Sequence, residues 1–289
     1  MRDRLMRIVR GEQCRLDVGR TLVVARRESG AQKRSAATAH RSMADCLDLA
    51  SDELRASISA VLGDIGCRGL PVRALLDDDV VRYFMVTPPS NAASMSDLRS
   101  AADVRFEGLY GEPVAPWHVM ADWQGGVPFL ACAAPRHVID ALRLAVAPRR
   151  TTLVSVTPNF VAAWNRLRHD VSADAWLATL SGVTLTLGIV VGASRPRLAA
   201  VRTLVFKDDR HSVGRLCEQV AYAAMLEGVP LAASLHVRGL PPEALPSQSV
   251  PGQESAMVVH WHRADDATSD KSELDAGLID KMVQREAAT

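Results

Sequence analysis

Apolar and polar positions begin to alternate at Cys14. Cys14-Arg15-Leu16-Asp17-Val18 and Leu22-Val23-Val24-Ala25-Arg26-Arg27 have the period of a strand or hairpin, with Asp17 and Gly19 where a turn would fall. Residues 28–41 are small and polar and predict a loop, with room for disorder. From Asp45 to Leu62 the apolar positions Leu47, Leu54, Ile58, Val61 and Leu62 recur every three to four residues, predicting an amphipathic helix that Gly63 and Gly66 end. Strands are expected over 72–76 and 80–86, where Pro88-Pro89 stops the second because proline offers a ladder no N–H. Ser94 or Ser96 is placed to cap a helix running to Leu109. Strands over 117–123 and 127–133 flank Gln124-Gly125-Gly126, a hairpin signal. A helix opens at Pro135 and runs to about 147, a strand covers 152–156, and Pro158 opens a helix carrying Phe160, Val161, Trp164 and Leu167.

The remainder predicts three successive strands over 176–180, 184–191 and 198–206, with Gly182 and residues 192–197 in the turns. A helix over 213–226 and a strand over 233–237 follow, ending in Gly239-Leu240-Pro241-Pro242. Beyond Leu245 the chain turns polar, with one more strand available at 258–261 and a short helix at 274–283.

Composition narrows the class. A chain of 289 residues, 48% hydrophobic and 23% charged, has material for one large domain or two to three small ones. A net charge of +1 provides no global field toward nucleic acid or an anionic membrane. The first ten residues are locally basic, without the apolar run of a signal peptide, and predict a solvated end. No stretch approaches the apolar length of a membrane-spanning helix. The five cysteines are odd in number and lack CxxC spacing, which argues against a disulfide framework or zinc site and for a reducing, cytoplasmic setting.

Candidate chemistry is sparse. His260-Trp261-His262 puts two imidazoles on one face of a strand, with no third ligand nearby in sequence. Asp77-Asp78-Asp79 reads as a solvated turn, with magnesium carboxylates as the second reading. No GxSxG, HExxH, Walker A or GxGxxG pattern occurs. Trp123, Trp164 and Trp176 are core or subdomain-contact residues. The sharpest signal is Leu16-Asp17-Val18-Gly19. A hairpin turn of this kind lets backbone N–H groups approach a phosphate, with Asp17 able to hold a metal-bound water.

The order of elements after Asp17 raises that signal. From about Leu16 to Gly239 the chain resembles the actin-fold family of bacterial inner-membrane assembly platforms of type IV pili and type II secretion, the PilM-like and GspL-like proteins. The residues that carry the resemblance are Leu16-Asp17-Val18-Gly19, the strand from Val80 into Pro88-Pro89, Phe129-Leu130-Ala131-Cys132-Ala133-Ala134-Pro135-Arg136, and Leu153-Val154-Ser155-Val156-Thr157-Pro158-Asn159-Phe160.

The resemblance implies an α/β, two-lobed actin-like ATPase (ribonuclease H-like) fold with a small inserted α+β subdomain. The first lobe would span 12–89 and 135–169, the insertion 90–134 and the second lobe 170–245, with 246–289 a polar, partly disordered tail. It further implies a cytoplasmic scaffold, peripheral to the inner membrane, that binds a short cytoplasmic segment of an inner-membrane assembly protein as a strand or in a groove and leaves room for a homodimer. Asp17 and Gly19 would be the nucleotide-binding residues. The second phosphate loop falls at Ser181-Gly182-Val183-Thr184, where the family's Asp-x-Gly is missing, and the adenine-side Gly-Gly is replaced near Arg238-Gly239-Leu240-Pro241. A degenerate cleft without productive hydrolysis follows, with no obligatory cofactor. The alternative is an ATP-binding or ATP-hydrolysing member of the same machinery, using ATP and magnesium.

Overall fold

The computed structural model describes residues 12–28, 35–172, 175–192, 196–207, 213–239 and 257–262. The basic N-terminal segment, the polar stretch from 246 apart from 257–262, and the helix expected at 274–283 lie outside the described residues. The chain forms two compact units. One holds the described residues of Met1–Val80 and Arg136–Thr157, the other those of Val81–Pro135 and Pro158–Asp265.

In the first unit, β1 (Gln13–Val18) and β2 (Leu22–Glu28) make the expected hairpin. β3 (Ser35–Ser42) replaces the expected loop. Its small polar residues carry little strand signal, but its backbone pairs antiparallel with β2, and an edge strand needs only one such neighbour. Helix α1 (Ser51–Asp64) starts later than its apolar period suggests. The Asp45 carboxylate accepts the Leu47 N–H at 3.0 Å, closing a local turn that competes with the helix. Asp52 and Glu53 then complement the helix dipole in the first turn.

β4 (Val72–Leu76) runs parallel to β1. Later in the chain, α3 (Arg136–Val146) precedes β8 (Leu153–Pro158), which completes the sheet in the order β3-β2-β1-β4-β8. Alternation decides the core. Cys14, Leu16 and Val18 of β1, and Leu54, Ile58, Val61 and Leu62 of α1, are fully buried. Cys14 and Cys67 form a disulfide with Cα atoms 6.4 Å apart, which corrects the expectation that no disulfide forms. Spacing alone hid it: Cys14 stands opposite Val72 in the β1–β4 register, and Cys67 lies just ahead of that strand.

The second unit holds two sheets. β5 (Arg82–Val86), β6 (Trp117–Ala121) and β7 (Phe129–Pro135) form one in the order β5-β7-β6, and α2 (Met95–Tyr110) packs on it. Ser94 caps α2 in a reciprocal box with Asp97, one of the two serines anticipated. Arg82 is laid over the rings of Trp117 at 4.3 Å and Tyr110 at 4.7 Å and pairs with Glu112 at 2.8 Å.

The other sheet contains β9 (Ala175–Ser181), β10 (Thr184–Val191), β11 (Arg197–Val205), β12 (Ser234–Arg238) and β13 (Val258–His262), in the order β11-β10-β9-β12-β13. Helix α5 (Val213–Glu227) buries Leu216, Val220, Ala223 and Ala224 against one face, with Trp176, Leu187 and Leu235. Helix α4 (Asn159–Leu167) sets Phe160 against Gly188 on β10.

The two five-stranded sheets have one topology. Each places its own strands in the order third, second, first, fourth, fifth. In each, the first three are an antiparallel meander and the fourth returns parallel to the first. The three successive strands over 175–205 therefore belong to a five-stranded sheet.

Candidate functional site at the first hairpin turn

The turn between β1 and β2 is Gly19-Arg20-Thr21, and four of its backbone groups have partners inside the protein. Gly19 N–H donates to Leu22 O at 2.9 Å, closing the hairpin. Arg20 N–H donates to the Asp79 carboxylate at 3.3 Å. The carbonyls of Arg20 and Thr21 accept from Cys46 N–H at 2.7 Å and Met43 N–H at 2.9 Å. A β1–β4 bond, Asp77 N–H to Val18 O at 2.9 Å, brings the acidic run against the turn.

Gly19 leaves room for that approach. A Cβ on it would lie 2.8 Å from Asp77 Oδ2, inside any ordinary contact. Asp78 is 1% exposed and Asp77 and Asp79 are half-buried, so the run is not the solvated turn its composition suggests. Asp79 Oδ1 is buried without a hydrogen-bond partner. Burial pushes the Asp79 carboxyl up and the charge of Asp78 adds to this, while the Arg20 N–H works the other way.

Arg20 supplies the turn's own positive charge. Its guanidinium donates to Asp45 at 2.6 Å, and that bond raises its pKa first, against burial. Burial opposes ionisation of Asp45, but the Leu47 N–H and Arg20 together hold its carboxyl below the usual range. Asp17 faces elsewhere in its bonding. Leu16 and Val18 point into the core, so Asp17 lies on the other face of the sheet, where it pairs with Arg15 at 2.8 Å and Arg26 at 3.4 Å. The structure thus separates the two residues marked in the sequence: Asp17 binds arginines of its own hairpin, and Gly19 admits a carboxylate. Arg20, Asp45 and Asp79 were not legible as partners, since Asp79 lies 59 positions from Arg20.

A phosphate at this turn would meet carboxylates where it needs donors. Asp79→Asn tests the point. A carboxyl held above its unfolded value favours folding when protonated, so its contribution is present at low pH and lost as pH rises through the folded value. The asparagine still accepts from Arg20 without a buried charge. The variant is expected to be more stable than the parent at neutral pH, with the gain fading on acidification. Urea midpoints at two pH values check this; equal midpoints at neutral pH would contradict it.

The β9–β10 turn is Gly182-Val183, with Gly182 at φ 53°, a two-residue hairpin turn that suits glycine at its first position. Gly239 lies at the end of β12 with its N–H on His262 O at 3.1 Å, and a Cβ there would meet Leu180 O at 2.7 Å. Among the described residues, no helix is long and apolar enough to cross a membrane.

No family model matches the chain, and no curated protein matches it. Solved structures do. A Bacteroides thetaiotaomicron protein described as having an actin-like ATPase fold and unknown function aligns over 84% of this chain and 87% of its own, with TM-score 0.53 and 9% identity. The PilM-PilN type IV pilus biogenesis complex aligns over 78% of this chain and 68% of that one, with TM-score 0.48 and 18% identity. The cytoplasmic domain of EpsL, an inner-membrane component of the Vibrio cholerae type II secretion system, aligns over 94% and 95%, with TM-score 0.49 and 13% identity. The twice-used strand order and the first of these likenesses lead to one statement: this chain has the actin-like ATPase fold.

Proposed function

We propose that the chain is a non-catalytic scaffold of a type IV pilus or type II secretion assembly platform, on the cytoplasmic side of the inner membrane. The observation that carries the non-catalytic half is the first hairpin turn, where the Asp79 carboxylate occupies the Arg20 amide and Asp77 fills the space beside Gly19. The platform half rests on the sequence resemblance, and the pilus and secretion proteins found among the solved structures are in keeping with it. The two-lobed division, with the span around 90–134 as an insertion, belongs to the same reading. A cytoplasmic setting is compatible with the Cys14–Cys67 disulfide, since both cysteines are fully buried and an attacking thiolate has no access to either sulfur.

The partner in this reading is a membrane-anchored assembly protein that presents a short cytoplasmic segment. Fluorescence anisotropy with labelled peptides, taken from the cytoplasmic segments of the pilus and secretion assembly proteins of the same cell, tests it. Saturable binding of one peptide, competed by its unlabelled form, is expected. Failure of every such peptide to bind the folded chain would overturn the proposal.

A further inference from the structure

The sheet of the second unit ends at β13, which pairs in parallel with β12. His236 stands opposite His260, and Arg238 opposite His262. Side chains alternate along both strands, so His236, His260 and His262 share one face, while Leu235 and Val237 enter the core on the other. The three rings are close. His236 Nδ1 and His262 Nε2 are 3.0 Å apart, and the His236 ring centre lies 4.8 Å from that of His260 and 5.2 Å from that of His262.

A hydrogen bond between two imidazole nitrogens needs one donor and one acceptor, so His236 and His262 cannot both be protonated while it lasts. Arg238, two positions along β12 on the same side, carries a permanent positive charge opposite His262. The neighbouring β9 presents Leu177 opposite His236. Asp170, after α4, is the carboxylate that acts on His236 in the opposite sense. Burial first, then His260 and His262, bring His236 down to about 4. Among the described residues, no group of three His, Cys, Asp or Glu side chains is arranged to hold a metal ion.

β13 depends on this contact more than an inner strand would. Among the described residues it has one neighbouring strand, Val258 at its start is 54% exposed, and its side chains reach the core as partly buried Val259 and Trp261. We propose that His236, with His260 and His262 packed against it, works as a proton-operated latch at the sheet edge: the neutral His236 ring, hydrogen-bonded to His262, holds β13 on β12, and protonation of His236 in mildly acidic solution releases β13 and bares the β12 edge. A bared parallel edge is a template for a strand from another chain.

Amide hydrogen exchange on the full chain, corrected for intrinsic rates, tests the latch. Between about pH 7.5 and about pH 5.5, protection across β13 is expected to fall by about tenfold or more, while β9 and β10 keep theirs. His236→Gln keeps a hydrogen-bonding side chain without the charge and is expected to flatten the pH dependence. His262→Gln serves the same purpose should the first variant fold poorly. Protection of β13 that follows β9 and β10 through the whole range, or a pH dependence unchanged in both variants, would overturn the proposal.

Discussion

Phe160→Ala is expected to lower the unfolding free energy of the second unit by about 3–5 kcal/mol, the usual loss for a fully buried phenylalanine. The ring is 0% exposed and meets Tyr83 edge-on, with centroids 5.5 Å apart. It occupies space that β10 leaves free because residue 188 has no side chain. A Cβ at Gly188 would lie 2.5 Å from Phe160 Cζ and 2.8 Å from Leu198 Cδ2. Gly188→Ala is therefore destabilising in its own right, by about 1–3 kcal/mol of overpacking. The two changes are coupled, since truncating the phenylalanine removes the nearer clash. Urea denaturation of the parent, both single variants and the double variant should show Gly188→Ala costing less in the Phe160→Ala background. Equal costs in both backgrounds would mean that the ring does not fill the space beside Gly188.

Loss of the Cys14–Cys67 bond is the second large effect. The two cysteines are 53 positions apart, and closing a loop of that length in the unfolded chain is worth about 4 kcal/mol. The bond ties the start of β1 to the segment that leads from α1 into β4. The double variant Cys14→Ser, Cys67→Ser is expected to unfold at lower urea than the oxidised parent, and the reduced parent should move toward it. Part of the serine effect comes from burying two hydroxyls, so the reduced parent is the cleaner comparison. Coincident unfolding curves for the oxidised and reduced parent would rule out the stabilisation.

Much of the fold is written locally. Leu16, Val18, Val23 and Ala25 alternate because one sheet face is buried, and that alternation marks the hairpin at once. Ser94 and Asp97 form a capping box within a few residues, and Gly182 sits where its turn needs positive φ. What stayed hidden is settled between distant segments. β3 is a strand because β2 offers it an edge, not because Ser-Ala-Ala-Thr favours extension. Asp78 is buried because the end of β4 lies against the β1–β2 turn.

The site divides the same way. Asp17 and Gly19 are visible as turn chemistry, whereas the contacts they make are not. Whether Asp17 faces a ligand or an arginine depends on the register that brings Arg26 across from Arg15. Whether the turn amides are vacant depends on Asp79, far along the chain. The three histidines show the same limit. His260 and His262 are spaced for one strand face, but the third member, His236, arrives only through the pairing of β12 with β13.

We propose that this actin-like chain holds carboxylates in place of phosphates at its first hairpin turn. Calorimetric titration of the folded protein with ATP and magnesium, beside an Asp17→Ala variant, tests it most directly. The account predicts no saturable heat for either protein. Tight binding by the parent that disappears in Asp17→Ala would contradict it and restore the nucleotide-binding reading.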